Sequence, residues 1–398
     1  MHKFMNTKKT IEIANKFWDK TYDHGLMDIA ATYLGQGEFL TANGHHFTNM
    51  CSYSYLGLDS HPEIISGAIN EIQSSKIFNY SITRIRIILD VIKETEELLG
   101  KVFEAQAITL ASCSAASLAI LPLIASGIFT ENEPPIMVFD KYTHFSINII
   151  KPICADESEV LTIAHNDLNA LEEICKTHKN VVYVAEGIYS TGGCAPVREL
   201  RALQDKYGLF LVFDEAHSIS VYGKNGRGYA LEEMGGINNR TIIVSSLNKG
   251  FGAYGGLLLL GPGINRKIVE RFGGPIGWSG SDKNNTAVFG AIKASAKIHL
   301  STELTNLQAK LQENIKLFDS LVNTKDSGDK AATRFIQIGD PERAIEIAQN
   351  IFTTGYYTSP LFFPIVPKGQ AGLRVMIRAD MKQEKIKSFC NLINDAIH

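Results

Sequence analysis

The amino-acid sequence predicts an α/β protein with a large, mostly parallel sheet covered by helices on both faces and a smaller C-terminal α+β domain. From YSYLGLDSHPE at 53–63 to about residue 260, short apolar runs alternate with amphipathic helical patterns. Such alternation requires right-handed crossovers between parallel strands, which place helices on both faces of the sheet. After about residue 285 the pattern changes to a long helical region that runs to about residue 322, followed by strand, helix, strand and helix.

The individual elements follow from local patterns. The apolar runs that predict strands of the large sheet are AITLAS at 107–112, PIMVFD at 135–140, VVYVAEGI at 181–188, LFLVFDEA at 209–216 and TIIVSSL at 241–247. Pro196 precedes VRELRALQDKYG, an amphipathic helix with proline near its first turn. Residues 323–332 are polar and predict a surface loop. The predicted domains are an N-terminal arm and hairpin over 1–55, a large domain over 56–290 and a small domain over 291–398.

Composition excludes several classes of protein. The chain has 398 residues, of which 45% are hydrophobic and 20% charged, as in a soluble globular protein. A formal net charge of -3 excludes broad attraction to nucleic acid or to an anionic membrane. The six cysteines are dispersed without metal-ligand spacing, which indicates reduced thiols and no metal site. No signal-type or membrane-spanning apolar run is present, so we expect a cytoplasmic protein.

Polar residues follow the predicted strands at their carboxyl ends, where open α/β sheets bind ligands. Lys249 comes just after TIIVSSL and before a glycine-rich turn, a position that suits a Schiff-base lysine. Asp214 ends LFLVFD and could pair with a protonated pyridine nitrogen, with His217 three residues later on the same side of a helical turn. His144 follows PIMVFD and could stack on an aromatic cofactor. Each residue alone also fits an ordinary structural role, as a solvated lysine, a helix cap, a metal ligand or a structural histidine.

The segment ASCSAASLAI at 111–120 joins a predicted strand to a helix through small residues. Backbone N–H groups at such a helix start, with the hydroxyls of Ser112 and Ser114, suit a phosphate. A small-residue helix that packs tightly on the sheet is the equal alternative. The segment alone does not separate these two interpretations.

The order and spacing of these motifs resemble, from about Tyr53 to Arg374, the α-oxoamine synthase family of fold-type I pyridoxal-phosphate enzymes. The matching stretches are YLGLDSHPE, ASCSAAS, D-x-x-x-H at 140–144, EGIYSTGGCAPVREL, VFDEAHSISVYGKNGRG, SSLNKGFGAYGG and VPKGQAGLR. The family includes 8-amino-7-oxononanoate synthase, serine palmitoyltransferase and the synthases of α-aminoketone autoinducers. The resemblance implies a biosynthetic acyltransferase that uses pyridoxal 5'-phosphate to join an α-amino acid to an acyl thioester with loss of carbon dioxide.

The resemblance also implies a role for each residue around the cofactor ring. Lys249 would hold the cofactor covalently and act as the base at the substrate α-carbon. Asp214 would pair with the pyridine nitrogen, and His217 would hydrogen-bond the 3-oxygen of the ring. His144 would stack on the ring and help to position the substrate carbonyl. Ser190 would lie near the 3-oxygen and the substrate carboxylate.

A second group of residues is implied to hold the cofactor phosphate. The backbone of Cys113 and Ser114, together with Ser246, would bind it within one subunit. Ser279 and Ser281, in GWSGS, match the position where the family supplies a hydroxyl from the neighbouring subunit. The resemblance therefore implies a homodimer with shared active sites.

The substrate region departs from the family pattern. Arg374 would bind the carboxylate of the amino acid, because a guanidinium fork matches carboxylate geometry. Tyr53 stands where many members have asparagine, and YSITRIRIILDVIKETEELLG lacks the family's glycines and histidine. These differences favour a product outside biotin and haem synthesis, with an acyl donor on coenzyme A or on an acyl carrier protein. The alternatives are an aminotransferase, a retro-aldol lyase or a non-catalytic partner subunit, and retention of the cofactor-site residues argues against the last.

Overall fold

The computed structural model of the protein describes residues 6–280 and 282–397. The chain divides into two compact units. The first, here called the terminal unit, contains the residues up to Ser60, the short segment Ser190–Gly193 and the residues from Asn306 onward. The second, the central unit, contains His61–Tyr189 and Cys194–Thr305.

Strands and helices occupy both units. The strands are β1 (Ala31–Gly35), β2 (Glu38–Thr41), β3 (His46–Asn49), β4 (Gln106–Leu110), β5 (Ile136–Asp140), β6 (Val160–Ile163), β7 (Val181–Glu186), β8 (Phe210–Asp214), β9 (Thr241–Ser246), β10 (Gly256–Leu260), β11 (Thr333–Gly339), β12 (Tyr356–Tyr357), β13 (Ser359–Leu361) and β14 (Ala371–Met376). The helices are α1 (Thr7–Asp23), α2 (Pro62–Ser75), α3 (Asp90–Phe103), α4 (Cys113–Ala125), α5 (Phe145–Asn148), α6 (Lys151–Cys154), α7 (Leu168–Thr177), α8 (Val197–Tyr207), α9 (Tyr229–Met234), α10 (Arg266–Phe272), α11 (Gly274–Gly277), α12 (Thr286–His299), α13 (Thr302–Leu321), α14 (Pro341–Thr353) and α15 (Gln383–Ile397).

The central unit is built on a sheet with the strand order β4-β10-β9-β8-β7-β5-β6. Strands β5 to β9 pair in parallel, whereas β10 runs antiparallel to both of its neighbours, β9 and β4. This mostly parallel sheet confirms the predicted fold class. The predicted strands β4, β5, β7, β8 and β9 are present, and the sequence analysis did not identify β6 or β10.

The apolar core lies on both faces of this sheet. Along β8, Leu211 and Phe213 belong to one buried cluster, whereas Phe210 and Val212 belong to the other. Successive side chains of a strand point to opposite faces, and here both faces are covered. The strands β7 and β8 therefore appear in the sequence as continuous apolar runs, each of which ends on an acidic residue, Glu186 or Asp214.

The terminal unit contains two smaller sheets, with the orders β1-β2-β3-β12 and β11-β14-β13. Strand β12 pairs in parallel with β3, with Tyr356 opposite Thr48. This pairing joins residues from both ends of the chain, so the unit boundaries differ from the predicted arm at 1–55 and the predicted boundary at 290/291. The predicted hairpin is a three-stranded meander, and the predicted long helix from 285 to 322 is α12 followed by α13. No helix within the described residues is long and apolar enough to cross a membrane.

Candidate active site

Two side chains that follow neighbouring parallel strands meet at the carboxyl end of the central sheet. Strand β8 ends at Asp214 and β9 ends at Ser246, and the two strands are paired in parallel. Lys249 comes three residues after β9, and His217 comes three residues after β8. The Nζ atom of Lys249 lies 2.8 Å from Nε2 of His217. The fold therefore brings into direct contact two residues that the resemblance assigns to the same cofactor ring.

Asp214 is buried beside this pair of strands and is held by two donors. Its Oδ1 accepts a 2.9 Å hydrogen bond from the backbone N–H of Ala216. Its Oδ2 lies 3.7 Å from Sγ of Cys113. Burial and the carboxylate of Asp214 raise the pKa of the Cys113 thiol, and Lys249 opposes this effect only in part. The thiol is therefore neutral and able to donate to Asp214, a side-chain contact that the sequence analysis missed because it considered only the backbone of Cys113.

The start of α4 presents backbone donors at the same edge of the sheet. Ser112 caps the helix, and its Oγ accepts a 3.1 Å hydrogen bond from the N–H of Ala115. The N–H groups of Cys113 and Ser114, the first two residues of the helix, have no intrahelical acceptor. They lie at the positive end of a 13-residue helix, which favours an anion such as a phosphate.

A close backbone approach brings β10 against the start of this helix. A Cβ atom added to Gly256 would lie 2.0 Å from the carbonyl oxygen of Ser112. Only glycine fits this position, which explains one of the glycines in NKGFGAYGG. On the neighbouring strand β9, the hydroxyl of Ser246 hydrogen-bonds the side-chain oxygen of Asn248. Ser246, Ser112 and Lys249 thus belong to adjoining segments of the central unit.

His144 caps the short helix α5, and its ring is exposed. Its Nδ1 accepts a 3.2 Å hydrogen bond from the N–H of Ser146. The turn before it is fixed by buried Asp140, which accepts hydrogen bonds from the N–H of Tyr142 at 2.7 Å and from Asn166 N–H at 2.8 Å.

The carboxylate of Asp140 has further donors. His165 Nδ1 lies 3.0 Å from its Oδ1, and the hydroxyl of Tyr183 donates to its Oδ2 at 3.0 Å. Burial acts to raise the pKa of Asp140, but the hydrogen bonds from His165, Asn166 N–H and Tyr142 N–H outweigh it and lower the pKa. The ionised carboxylate anchors the turn that leads to His144.

In the terminal unit, Arg374 on β14 contacts Tyr53. The guanidinium Nη2 donates a 2.7 Å hydrogen bond to the Tyr53 hydroxyl and the guanidinium carbon lies 5.3 Å from the centre of its ring. The Nε atom of Arg374 is buried and has no hydrogen-bond partner among the described residues. A guanidinium with a donor left over suits a carboxylate ligand. Ser190 also belongs to this unit, within the segment Ser190–Gly193.

Two serines, Ser279 and Ser281, are predicted to act across a subunit interface. Ser279 is half-buried, and its Oγ accepts a 3.3 Å hydrogen bond from the N–H of Asp282. It lines a small cavity together with Tyr80 and Lys283. Ser281 lies outside the described residues.

Known proteins resemble this chain over most of its length. The family model for aminotransferase class I and II matches residues 45–393. The 8-amino-7-oxononanoate synthase of Petrotoga mobilis is 27% identical over 378 residues, covering 92% of this chain and 93% of the relative. The enzyme of the same name from Salmonella arizonae is 28% identical over 358 residues, covering 86% and 87%.

Solved structures agree with the fold. A serine palmitoyltransferase of S. paucimobilis with a bound PLP-myriocin aldimine has a TM-score of 0.84 at 20% identity, and 98% of each chain is covered. The 8-amino-7-oxononanoate synthase of Francisella tularensis has a TM-score of 0.71 at 24% identity, with 88% of this chain and 98% of that chain covered. The predicted fold class and the resemblance to the α-oxoamine synthases are both confirmed. The chain belongs to the aminotransferase class I and II family.

Proposed function

We propose that the protein is a pyridoxal-phosphate-dependent acyltransferase that condenses an α-amino acid with an acyl thioester. The products are an α-aminoketone, carbon dioxide and the free thiol. The observation that carries this proposal is the 2.8 Å contact between Lys249 and His217 beside Asp214, at the carboxyl ends of two neighbouring parallel strands. The curated relatives named 8-amino-7-oxononanoate synthase, which match more than four fifths of the chain, support the same reaction class.

The residues present fit the cofactor by their chemistry. Lys249 offers an amine for its carbonyl carbon, buried Asp214 offers a carboxylate for its ring nitrogen, and the start of α4 offers N–H groups for its phosphate. When bound, pyridoxal phosphate supplies an electron sink that stabilises negative charge at the α-carbon of an amino acid.

The central unit would carry the proton transfer. Lys249 would take a proton from the α-carbon and later return one, with its Nζ held by Nε2 of His217. Asp214 would keep the ring nitrogen protonated, and Cys113 would hold the carboxylate of Asp214 in place. His144, fixed by Ser146, would stack its exposed ring on the cofactor.

The phosphate and the carboxylate would each have their own donors. Cys113 N–H, Ser114 N–H and the hydroxyl of Ser246 would bind the phosphate, with Ser279 or Ser281 contributed by a neighbouring subunit. Arg374 would bind the substrate carboxylate, with Tyr53 holding one end of the guanidinium. We assign Ser190 to the same carboxylate and to the 3-oxygen of the cofactor.

We also propose that the protein is a homodimer. Helix α2 presents Ile65, Ile69 and Ile72 to solvent, with 36% to 52% of each side chain exposed. The nearby Phe78 is 62% exposed. Apolar side chains at the spacing of one helix face are typical of a surface that a partner covers. Sedimentation should therefore give a dimer, and an active monodisperse monomer would contradict this proposal.

We propose a thioester of coenzyme A or of an acyl carrier protein, used in the cytoplasm. Dispersed cysteines without ligand spacing support a reducing compartment. The negative net charge gives no support to a nucleic-acid or membrane partner.

Product analysis tests the proposed reaction. Purified protein would be incubated with the cofactor, a panel of amino acids and acyl thioesters, and carbon dioxide, free thiol and aminoketone would be measured. We expect the three products in equal amounts, and only when the thioester is present. An amino-group transfer to a keto acid, or a carbon–carbon cleavage without thioester, would favour the aminotransferase or lyase alternative. Absence of all products and of cofactor binding would favour a non-catalytic subunit.

A further inference from the structure

A buried histidine, which the proposed reaction does not use, contacts the segments that follow His217 and Lys249. His299 is the last residue of α12, and only 1% of its surface is exposed. Its Nδ1 lies 2.8 Å from the carbonyl oxygen of Ser295. Its Nε2 lies 2.8 Å from Oγ of Ser220, which is also buried. The ring stacks on Phe251 with a centre-to-centre distance of 4.4 Å.

The partners of His299 define which of its ring nitrogens carries a hydrogen. A carbonyl oxygen only accepts, so Nδ1 must carry the hydrogen that it donates to Ser295. Burial lowers the pKa of His299 to about 4, so Nε2 has no hydrogen and accepts from the hydroxyl of Ser220. The neutral ring is thus held on both sides, by Ser295 at Nδ1, through its carbonyl oxygen and a longer 3.4 Å contact with its hydroxyl, and by Ser220 at Nε2.

These contacts hold two segments that each carry an active-site residue. Ser220 lies three residues after His217, and Phe251 lies two residues after Lys249. Ser295, one turn before His299 on α12, donates a 2.5 Å hydrogen bond to the carbonyl oxygen of Phe251. The C-terminal end of α12 therefore contacts both segments.

The two segments also contact each other directly at this point. A Cβ atom added to Gly250 would lie 3.0 Å from the carbonyl oxygen of Ile219. Ser220 has a φ of +73°, an unusual conformation for a residue with a side chain, and its N–H donates a 2.7 Å hydrogen bond to the carbonyl oxygen of Gly226. Such a conformation persists where surrounding contacts hold it.

From this arrangement we infer that His299 is a positioning residue, which sets the distance between Lys249 and His217 through its contacts with Ser220 and Phe251. The inference rests on the proposed function, because it gives Lys249 its role. The spacing matters because the hydrogen bond between Lys249 and His217 affects the reactivity of the amine.

Two variants remove the same hydrogen bond from opposite sides. His299→Phe keeps a ring to stack on Phe251 but cannot accept from Ser220, and Ser220→Ala removes the donor. Ile298→Ala is the matched control, because Ile298 is equally buried on the same helix and its truncation costs stability by leaving a cavity.

The measurement follows attachment of the cofactor, not turnover. Cofactor-free protein would be mixed with pyridoxal phosphate, and the visible absorbance of the lysine-bound cofactor recorded against time and pH. We expect His299→Phe and Ser220→Ala each to slow attachment about tenfold and to move the pH midpoint of the absorbance by about one unit. The double variant should be no worse than either single one, because both remove one shared bond. Ile298→Ala should lower the melting temperature and leave the rate of attachment and the pH midpoint unchanged.

Borohydride trapping and peptide mass analysis of the unmodified protein separate the two hypotheses. If the cofactor is trapped on Lys249 and both variants keep the normal rate and midpoint, the positioning role is wrong while the proposed function stands. Fully additive effects of the two substitutions would also overturn it. If the trapped residue is not Lys249, both hypotheses are wrong. Should His299→Phe not fold, Ser220→Ala alone decides by the same criteria.

Discussion

The guanidinium of Arg374 and the hydroxyl of Tyr53 are joined by a 2.7 Å hydrogen bond, although the two residues are 321 positions apart in the chain. The ring of Tyr53 also lies 5.3 Å from the guanidinium carbon, a cation–π distance. Tyr53 therefore orients Arg374 from one side, while the buried Nε of Arg374 has no acceptor within residues 6–280 and 282–397. We propose that Tyr53 influences amino acid binding through this contact with Arg374.

Arg374→Lys should weaken amino acid binding far more than Tyr53→Phe. An ammonium cannot reproduce two parallel hydrogen bonds, and loss of such a charge-assisted pair costs on the order of 2–5 kcal/mol. Tyr53→Phe keeps the ring and loses one hydrogen bond, so the KM for the amino acid should rise only about fivefold. Steady-state kinetics with the thioester saturating would measure both effects. Equal KM values for the Arg374→Lys variant and the unmodified protein would contradict the carboxylate role.

Lys249→Ala should abolish covalent attachment of the cofactor but not all cofactor binding, because the phosphate and ring contacts remain. The unmodified protein should be yellow and should lose its visible band on borohydride treatment, whereas the variant should contain no borohydride-trapped cofactor. Exchange of the amino acid α-proton with solvent, followed by NMR in deuterated water, should fall at least about a hundredfold. Lys249→Arg is the matched control, since it keeps the charge but cannot form the bond. Normal exchange in either variant would show that another base acts.

Glu215→Gln should make stability less dependent on pH. Burial raises the pKa of Glu215 to about 8, although Ser218 and the N–H groups of Ala230 and Tyr229 act in the opposite direction. Its Oε1 is buried without a hydrogen-bond partner among the described residues. The folded state therefore binds this proton more tightly than the unfolded chain does. Its contribution to stability is fully present below the ordinary carboxyl pKa and is lost as the pH rises to about 8.

As the pH rises from the ordinary carboxyl pKa to about 8, the free energy of unfolding should fall by on the order of 2–4 kcal/mol. Melting temperatures measured between pH 5 and pH 9 should fall with pH in the unmodified protein and fall less in the Glu215→Gln variant, because glutamine has no proton to lose. Glu172→Gln provides a control at a half-buried carboxylate whose pKa is lowered, mainly by hydrogen bonds from Lys206 and Tyr207. Parallel curves for the Glu215→Gln variant and the unmodified protein would exclude a protonated Glu215.

The rate of the reaction is predicted to depend on the carrier of the acyl group. The same acyl group would be presented on coenzyme A and on the phosphopantetheine arm of an acyl carrier protein, and kcat/KM compared. Because the substrate-region motifs depart from the family pattern, we expect a preference of about tenfold or more for the carrier protein. Equal values would contradict that preference, and failure with every thioester would contradict the synthase function itself.

The sequence by itself determined the parts of this protein that depend on neighbouring residues. Buried parallel strands are continuous apolar runs, and the polar residue that ends each run marks the ligand-binding edge, so β8 with Asp214 and β9 with Lys249 were predictable. The run GLLLL of β10 was not identified, because a short apolar run without alternation is ambiguous between strand and helix. The position of Lys249, by contrast, can be read from the sequence because it comes just after the apolar run of β9.

Only the tertiary structure decided which of these residues meet. The contact of Lys249 with His217, the thiol of Cys113 beside Asp214, and the pair of Tyr53 and Arg374 each join segments that are distant in the chain. The pairing of β3 with β12, which unites residues from both ends of the chain in one unit, is of the same kind. Such contacts depend on how strands pair and how helices pack across the whole fold, and no local pattern encodes the resulting distances. His299 shows this most clearly, because a buried histidine at a helix end has no sequence signature, and its relation to Ser220 and Phe251 exists only in the packed structure.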